Sequence, residues 1–208
     1  AFFEMWRYPA LCPHLHIPLQ SGSTAVLGRM NRKITLEAYK RLVEKARASI
    51  PGIAITTDII VGFPGETEEE FNVSLAFIRS MNFAGGHVFT YSARPGTAAA
   101  SMPGRIHGQV ARLRSQQVRT VLADSAHCYR QDYLGRTVKV LWESASQISD
   151  MGCRMEGLTG NYLRVSAMAT KPRPNQIEIV NIHSMEGDIL QGEIVEEKAG
   201  LFPSASTS

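Results

Sequence analysis

The chain has 208 residues, 44% of them apolar and 20% charged, with a formal net charge of +3. That is enough for one large domain or two modest ones, each with its own core. No apolar run is long enough to cross a bilayer, and Glu4 and Arg7 without a long apolar stretch behind them argue against a secretory leader, so a cytoplasmic location without membrane attachment is expected.

The mild charge alone says little about nucleic acid. Cys12, Cys128 and Cys153 are far apart and lack disulfide or metal spacing, which fits a reducing compartment and a metal-ligand set of none. The first residues, FFEMW, read as part of a helix already under way, so a fragment whose true start lies upstream is expected.

Pro13 to Leu19 alternates Leu15, Ile17 and Leu19 with His14 and His16, the period of a strand. Gln20-Ser21-Gly22-Ser23 ends it, and Ser23 can cap a short helix carrying Val26, Leu27 and Met30. Thr35 caps the next helix, whose apolar face is Leu36, Tyr39, Val43, Ala46 and Ile50. Pro51-Gly52 closes that helix.

The stretch from Ile53 to Thr67 dominates the pattern. Ile53, Ile55, Ile59, Ile60 and Val61 predict a strand covered on both faces, interrupted by Asp58. A carboxylate there is costly unless something binds it. Gly62, Pro64 and Gly65 make a sharp turn where backbone can approach a ligand, and Thr67 with Glu70 forms a capping box. Ligands of α/β proteins sit at the carboxyl ends of such strands, which marks Asp58 and the turn as a small-molecule site or, alternatively, a purely structural turn.

Phe71, Leu75 and Ile78 form the buried face of the following helix, and Gly85-Gly86 leads into a third strand, His87 to Tyr91. Strand and helix therefore alternate as in a parallel α/β sheet. Three strands do not close a barrel and would leave an edge exposed.

A long helix, about Gly108 to Tyr133, has a stripe of Val118, Val121, Leu122, Ser125 and Tyr129. Arg105, Arg112 and Arg119 are seven apart and share a face. Five arginines against two aspartates from Arg105 to Leu134 suit either a solvated connecting helix or a polyanion contact. From Gly135 the short alternating runs TVKVLWE, LTGNYLRVSA, QIEIVNIHSM and DILQGEIV predict a small antiparallel barrel or sandwich, with a frayed tail after Glu197.

The segments HLHIPLQSGS, RMNRKIT, TTDIIVGFPGETEEEF and YSARPGTAAASMPG, in this order, resemble the radical S-adenosylmethionine (SAM) methylthiotransferases. The resemblance implies an α/β fold, the C-terminal part of a radical SAM partial (β/α) barrel, followed by a small all-β TRAM-like barrel. The expected division is 1–107 for the partial barrel, 108–134 for the connecting helix, 135–197 for the TRAM-like domain and 198–208 for the tail. HVFTYSARPGTAAASMPG and YLGRTVKVLWE look most like the branch acting on C2 of N6-threonylcarbamoyladenosine next to the anticodon of tRNA. The isopentenyladenosine and ribosomal-protein enzymes are the alternatives within the class.

For the site, the resemblance implies that Gln20 meets the ribose or methionyl part of SAM. Arg32 would clamp its carboxylate, as guanidinium geometry allows, and Asp58 would take the ribose hydroxyls or the amino group. Ile60 would pack on the adenine, and the His87–Tyr91 strand would add backbone contacts to it. Ser21, Ser23 and Glu66 are further SAM candidates, although Glu66 also suits a helix N-terminus.

Tyr91, Ser92 and Arg94 are candidates for the substrate nucleotide, or belong to a rigid turn at Pro95-Gly96. The family also uses two [4Fe–4S] clusters, whose C-x-x-x-C-x-x-C motif and further cysteines are expected upstream of Ala1. The fragment alone should then be inactive. Expected partners are tRNA and an electron donor for the clusters, with the protein a monomer.

Two readings compete. His14 and His16 could open a metal-dependent barrel hydrolase with His87 and Asp58, or pack at the barrel mouth. A non-catalytic RNA-binding protein is the other. The β domain has six Lys and Arg against seven acids from Gly135 to Glu193, so RNA contact would need one face. Lys139, Arg164, Lys171 and Arg173 are the candidates, with Tyr162 or Trp142 stacking on a base.

Overall fold

The computed structural model describes residues 2–8 and 10–195; the expected tail at 198–208 lies outside them. The chain divides into two compact units, Ala1–Tyr133 with Gly160–Tyr162, and Leu134–Thr159 with Leu163–Ser208.

The first unit opens with a 3₁₀ turn, Phe2–Arg7, and then alternates strand and helix. The strands are β1 (His14–His16), β2 (Ala54–Val61) and β3 (Gly85–Thr90). The helices are α1 (Thr24–Arg29), α2 (Leu36–Ser49), α3 (Glu68–Ser80) and α4 (Gly108–Gln131). The sheet is parallel, in the order β1-β2-β3.

Sequence caps set the helix starts as expected. Ser23 accepts from the Val26 amide, Thr35 from that of Ala38, and Thr67 with Glu70 closes a capping box. Tyr39, Val43 and Ala46 of α2, and Phe71 and Ile78 of α3, pack with Ile55, Ile59 and Val61 of β2.

Burial along β2 alternates from Ile55 onward, with Thr57, Ile59 and Val61 buried and Thr56, Asp58 and Ile60 half-buried. The strand is therefore not covered on both faces, as its isoleucine-rich run suggested. One face meets the helices, and the other holds Asp58 and Ile60 beside their register partners His87 and Phe89 on β3. Phe89 is 53% exposed.

The long helix is also placed differently from expectation. It packs along β3 and α3 inside the first unit, burying Val118, Val121 and Leu122, so it serves as the helix that follows the third strand.

The turn after β2 is held from α4. Gly62 has φ +72, and a Cβ there would come within 2.9 Å of that of Ala111. Its amide donates to Glu66 Oε2 at 2.7 Å, and Arg114 donates to the same oxygen at 2.8 Å and to the Glu66 carbonyl at 2.9 Å. Arg114 also stands over the Phe71 ring. Both charges are buried, and burial pushes the Glu66 carboxyl above its usual range against the pull of Gly62 and Arg114.

The second unit is a closed five-stranded barrel, β4-β5-β6-β8-β7. Its strands are β4 (Thr137–Ser149), β5 (Gly152–Thr159), β6 (Arg164–Ala169), β7 (Ile177–Glu186) and β8 (Ile189–Ile194). Closure runs through a parallel pairing of β6 with β8, so the barrel is not wholly antiparallel. The run LTGNYLRVSA is the end of β5, a turn and most of β6. β5 itself escaped the apolar pattern because its buried positions are Gly152, Cys153, Met155, Gly157 and Thr159. Val140, Trp142, Val180, Ile182 and Leu190 fill the interior.

Removing one partner of a buried ion pair strands the other charge, at a cost of about 3–5 kcal/mol. Arg114→Ala should therefore lower the unfolding free energy by about that amount, read from denaturant midpoints. Glu66→Gln combined with Arg114→Leu should recover most of it. A single-variant loss within about 0.5 kcal/mol, as at ordinary surface positions, would show that the clamp is dispensable.

Candidate functional site

Pro18 has no amide proton, so the ladder between β1 and β2 is interrupted one residue after Ile17. Thr57 takes over: its hydroxyl accepts from the Leu19 amide at 3.0 Å, while Tyr39 donates to the Ile17 carbonyl at 2.6 Å. Gln20 then rejoins the sheet. Its amide donates to the Asp58 carbonyl and its carbonyl accepts from Ile60, both at 2.8 Å. It does so at φ +71, a left-handed conformation that a glutamine adopts only where its surroundings enforce it.

The chain then runs against α3. The Gly22 amide donates to Ser74 Oγ at 2.8 Å, and a Cβ at Gly22 would meet the Ser74 carbonyl at 2.6 Å. Helix α1 follows and ends in a Schellman turn. Asn31, at φ +55, donates to the Gly28 carbonyl, and the Arg32 amide donates to that of Leu27. Arg29 reaches Glu70 with two nitrogens, tying α1 to the first turn of α3. The Arg29 hydrogen bond holds the Glu70 carboxyl below its usual range.

These devices open a cleft of about 740 Å³ beyond the carboxyl ends of β2 and β3. Of the sequence candidates, Gln20, Arg32, Asp58, Ile60, Tyr91, Ser92 and Arg94 line it together. Met30, Asn31, Phe63, Phe89 and Met102, which sequence reasoning missed, also line it. Phe89 was accessible to a register argument, since it pairs with Ile60. Asn31 could have been read as the left-handed residue that ends α1.

Asp58 Oδ2 lies 3.2 Å from His16 Nε2. Its Oδ1 is buried and has no hydrogen-bond partner among the described residues, and the same is true of the Tyr91 hydroxyl. A carboxylate oxygen left in that state awaits a donor. With the Arg32 guanidinium, the Gln20 amide and an apolar floor of Ile60, Phe63 and Phe89, the cleft suits a zwitterion that also has a flat, apolar part.

Three further candidates fall elsewhere. Ser21 is buried, with its hydroxyl 3.5 Å from that of Ser74 and accepting from the Ser23 amide at 3.2 Å. Ser23 caps α1. Glu66 is occupied by Gly62 and Arg114.

On the barrel, Lys139, Arg164 and Lys171 are exposed, but Arg173 donates to Glu178 at 2.6 Å. Trp142 has 0% exposure and donates to the same carboxylate at 2.7 Å, so it is not free to stack on a base. Tyr162 is exposed.

The sequence model of the radical SAM superfamily matches residues 3–78. Among curated relatives is the tRNA-2-methylthio-N(6)-dimethylallyladenosine synthase of Lachnoclostridium phytofermentans. It is 38% identical over 187 residues, covering 90% of this chain and 41% of that protein. The protein of that name from Caldicellulosiruptor saccharolyticus is 38% identical over 193 residues, 93% of this chain and 40% of its own length. One from Cereibacter sphaeroides is 45% identical over 140 residues, 67% of this chain and 32% of its own.

The chain belongs to the radical SAM methylthiotransferase family. It spans about two fifths of the first two methylthiotransferase relatives. The mixed fold, a parallel sheet with helices and a separate small β barrel, is the one the resemblance implied.

The His14 and His16 pair does not assemble a metal centre among the described residues, where no group of three His, Cys, Asp or Glu side chains converges. Both rings instead approach Thr56 Oγ1, at 3.2 and 3.0 Å. Among the described residues no helix is long and apolar enough to cross a membrane.

The Arg29–Glu70 tie gives the site a pH signature. With its folded value depressed, Glu70 contributes stability above the ordinary glutamate value of about 4.3, and this is lost as pH falls through the depressed one. Glu70→Gln should flatten the acid side of a stability–pH curve measured by denaturant titration. Superimposable curves would mean that the pair contributes nothing.

Proposed function

We propose that this chain is the part of a tRNA methylthiotransferase that holds SAM and presents it to C2 of an N6-modified adenosine beside the anticodon. The observation that carries the reading is the buried, unpartnered Oδ1 of Asp58 in a cleft shared with Gln20 and Arg32. SAM has a carboxylate for Arg32, ribose hydroxyls and an amino group for Asp58 and Gln20, and an adenine for Ile60, Phe63 and Phe89. Bound SAM, with iron–sulfur clusters, would supply the one-electron and methyl-transfer chemistry. This chain's residues bind and orient it.

The described cysteines do not fit a cluster, because Cys12 is exposed in the loop before β1, Cys128 is exposed on α4 and Cys153 is buried in the barrel. The intact set of amide, guanidinium and carboxylate argues against a decayed, purely RNA-binding barrel.

As substrate we propose N6-dimethylallyladenosine in tRNA, following the names of the relatives. This replaces the threonylcarbamoyl branch expected from two sequence phrases, which those relatives do not support.

In the full-length protein, Asp58→Ala should weaken SAM affinity roughly tenfold or more, the effect of losing a hydrogen bond between charged groups. Iron content should stay the same. Unchanged affinity would remove Asp58 from the site. Deleting the gene should abolish 2-methylthio-N6-dimethylallyladenosine in tRNA digests analysed by mass spectrometry. Loss of the threonylcarbamoyl counterpart would reassign the branch, and unaltered tRNA would overturn the reading.

A further inference from the structure

A second groove lies on the other side of the segment that leaves β3. Its volume is about 760 Å³, and it runs between that segment and the N-terminal half of α4. Arg105, Arg112 and Arg119 line it, and no carboxylate does. Arg105 and Arg112 have no hydrogen bond or ion pair among the described residues; Arg119 donates to the Val88 carbonyl at 3.2 Å. On the groove floor Ser115 is 3% exposed, and its buried hydroxyl has no partner among the described residues.

We propose that this groove binds the sugar–phosphate backbone of the RNA whose adenosine enters the cleft, a proposal that rests on the function inferred above. Two observations support it, beside the adjacency to the cleft. Arginines facing a groove without acids attract polyanions, and guanidinium matches phosphate in geometry. Arg112 and Arg119 are separated along the helix by about 10.5 Å, at 1.5 Å per residue. A row of phosphodiesters suits that span better than one free phosphate.

The decisive feature is adjacency. Thr90, Tyr91 and Ser92 line both the groove and the cleft. A strand whose phosphates rest on α4 could therefore pass one base across this short divide. Enzymes that modify a base take it out of its stack and hold it in a pocket. The groove grips the backbone, while the cleft receives the base.

The test uses the full-length protein, a fluorescein-labelled oligouridylate and a salt series. Wild type should bind with a steep salt dependence. In Arg105→Glu/Arg112→Glu the dissociation constant should rise roughly tenfold or more, and the slope of log affinity against log salt should shallow by about 1.4, two single-strand contacts' worth. Arg105→Lys/Arg112→Lys should keep the slope. SAM affinity should not change in either variant, because neither arginine lines the SAM cleft.

RNA binding that ignores the glutamate variant would overturn the groove and leave the tRNA reading standing. No RNA binding by wild type would also overturn it, and SAM titration would then decide the cleft separately. Equal binding of polyglutamate, with the same variant sensitivity, would overturn the assignment to RNA.

Discussion

A carboxylate in the middle strand of a three-stranded parallel sheet is the constraint on which the rest depends. Asp58 sits half-buried in β2, beside β3, where a carboxylate needs solvent or a donor at each oxygen and a valine or isoleucine would need neither. His16 meets one oxygen, and no described residue meets the other. Asp58 shares its face with Thr56 and Ile60 and is paired in register with His87, yet none of these donates to that oxygen, while Thr57 and Ile59 are buried on the helix side. A site that leaves an acceptor buried and bare has exchanged some stability for the capacity to bind a donor.

The cleft then needs its other polar groups at fixed places, and each is fixed by backbone. Gln20 is held by two main-chain hydrogen bonds in a left-handed conformation, so its side chain leaves the sheet beside Asp58. Arg32 follows a Schellman turn whose two hydrogen bonds determine where the chain departs from α1. Capping boxes and turns are local, but Arg29 and Arg114 couple them over long sequence distances, to Glu70 and Glu66 on α3 and the turn before it. The guanidinium groups that stabilise the unit are thus different from the ones left free to bind.

Much of this was legible in the sequence, for identifiable reasons. Ser23, Thr35 and Thr67 act on amides within three residues, so their helix starts could be read directly. Asp58 stood out because it broke an apolar run. Glu66 could not be separated from the cleft residues by pattern, because its partner Arg114 lies 48 residues away on α4. Nor could the role of α4 be read. Its stripe is equally consistent with a linker, and only contact with β3 makes it part of the α/β unit. Trp142 looked available for stacking until Glu178, 36 residues on, took its indole proton.

The same pairing logic bears on where RNA affinity would originate. On the barrel, Glu178 neutralises Arg173, and Arg154 faces Glu156 and Glu186. A paired cation must give up its carboxylate before it can meet a phosphate, and so releases little free energy in doing so. Outside those pairs, Lys139, Arg164 and Lys171 are exposed charges on a domain whose acids outnumber its bases. The α4 groove concentrates three arginines without an acid. On the proposed reading, the electrostatic weight of RNA binding therefore falls on the helical unit, next to the cleft, and the barrel adds shape and contact area more than charge.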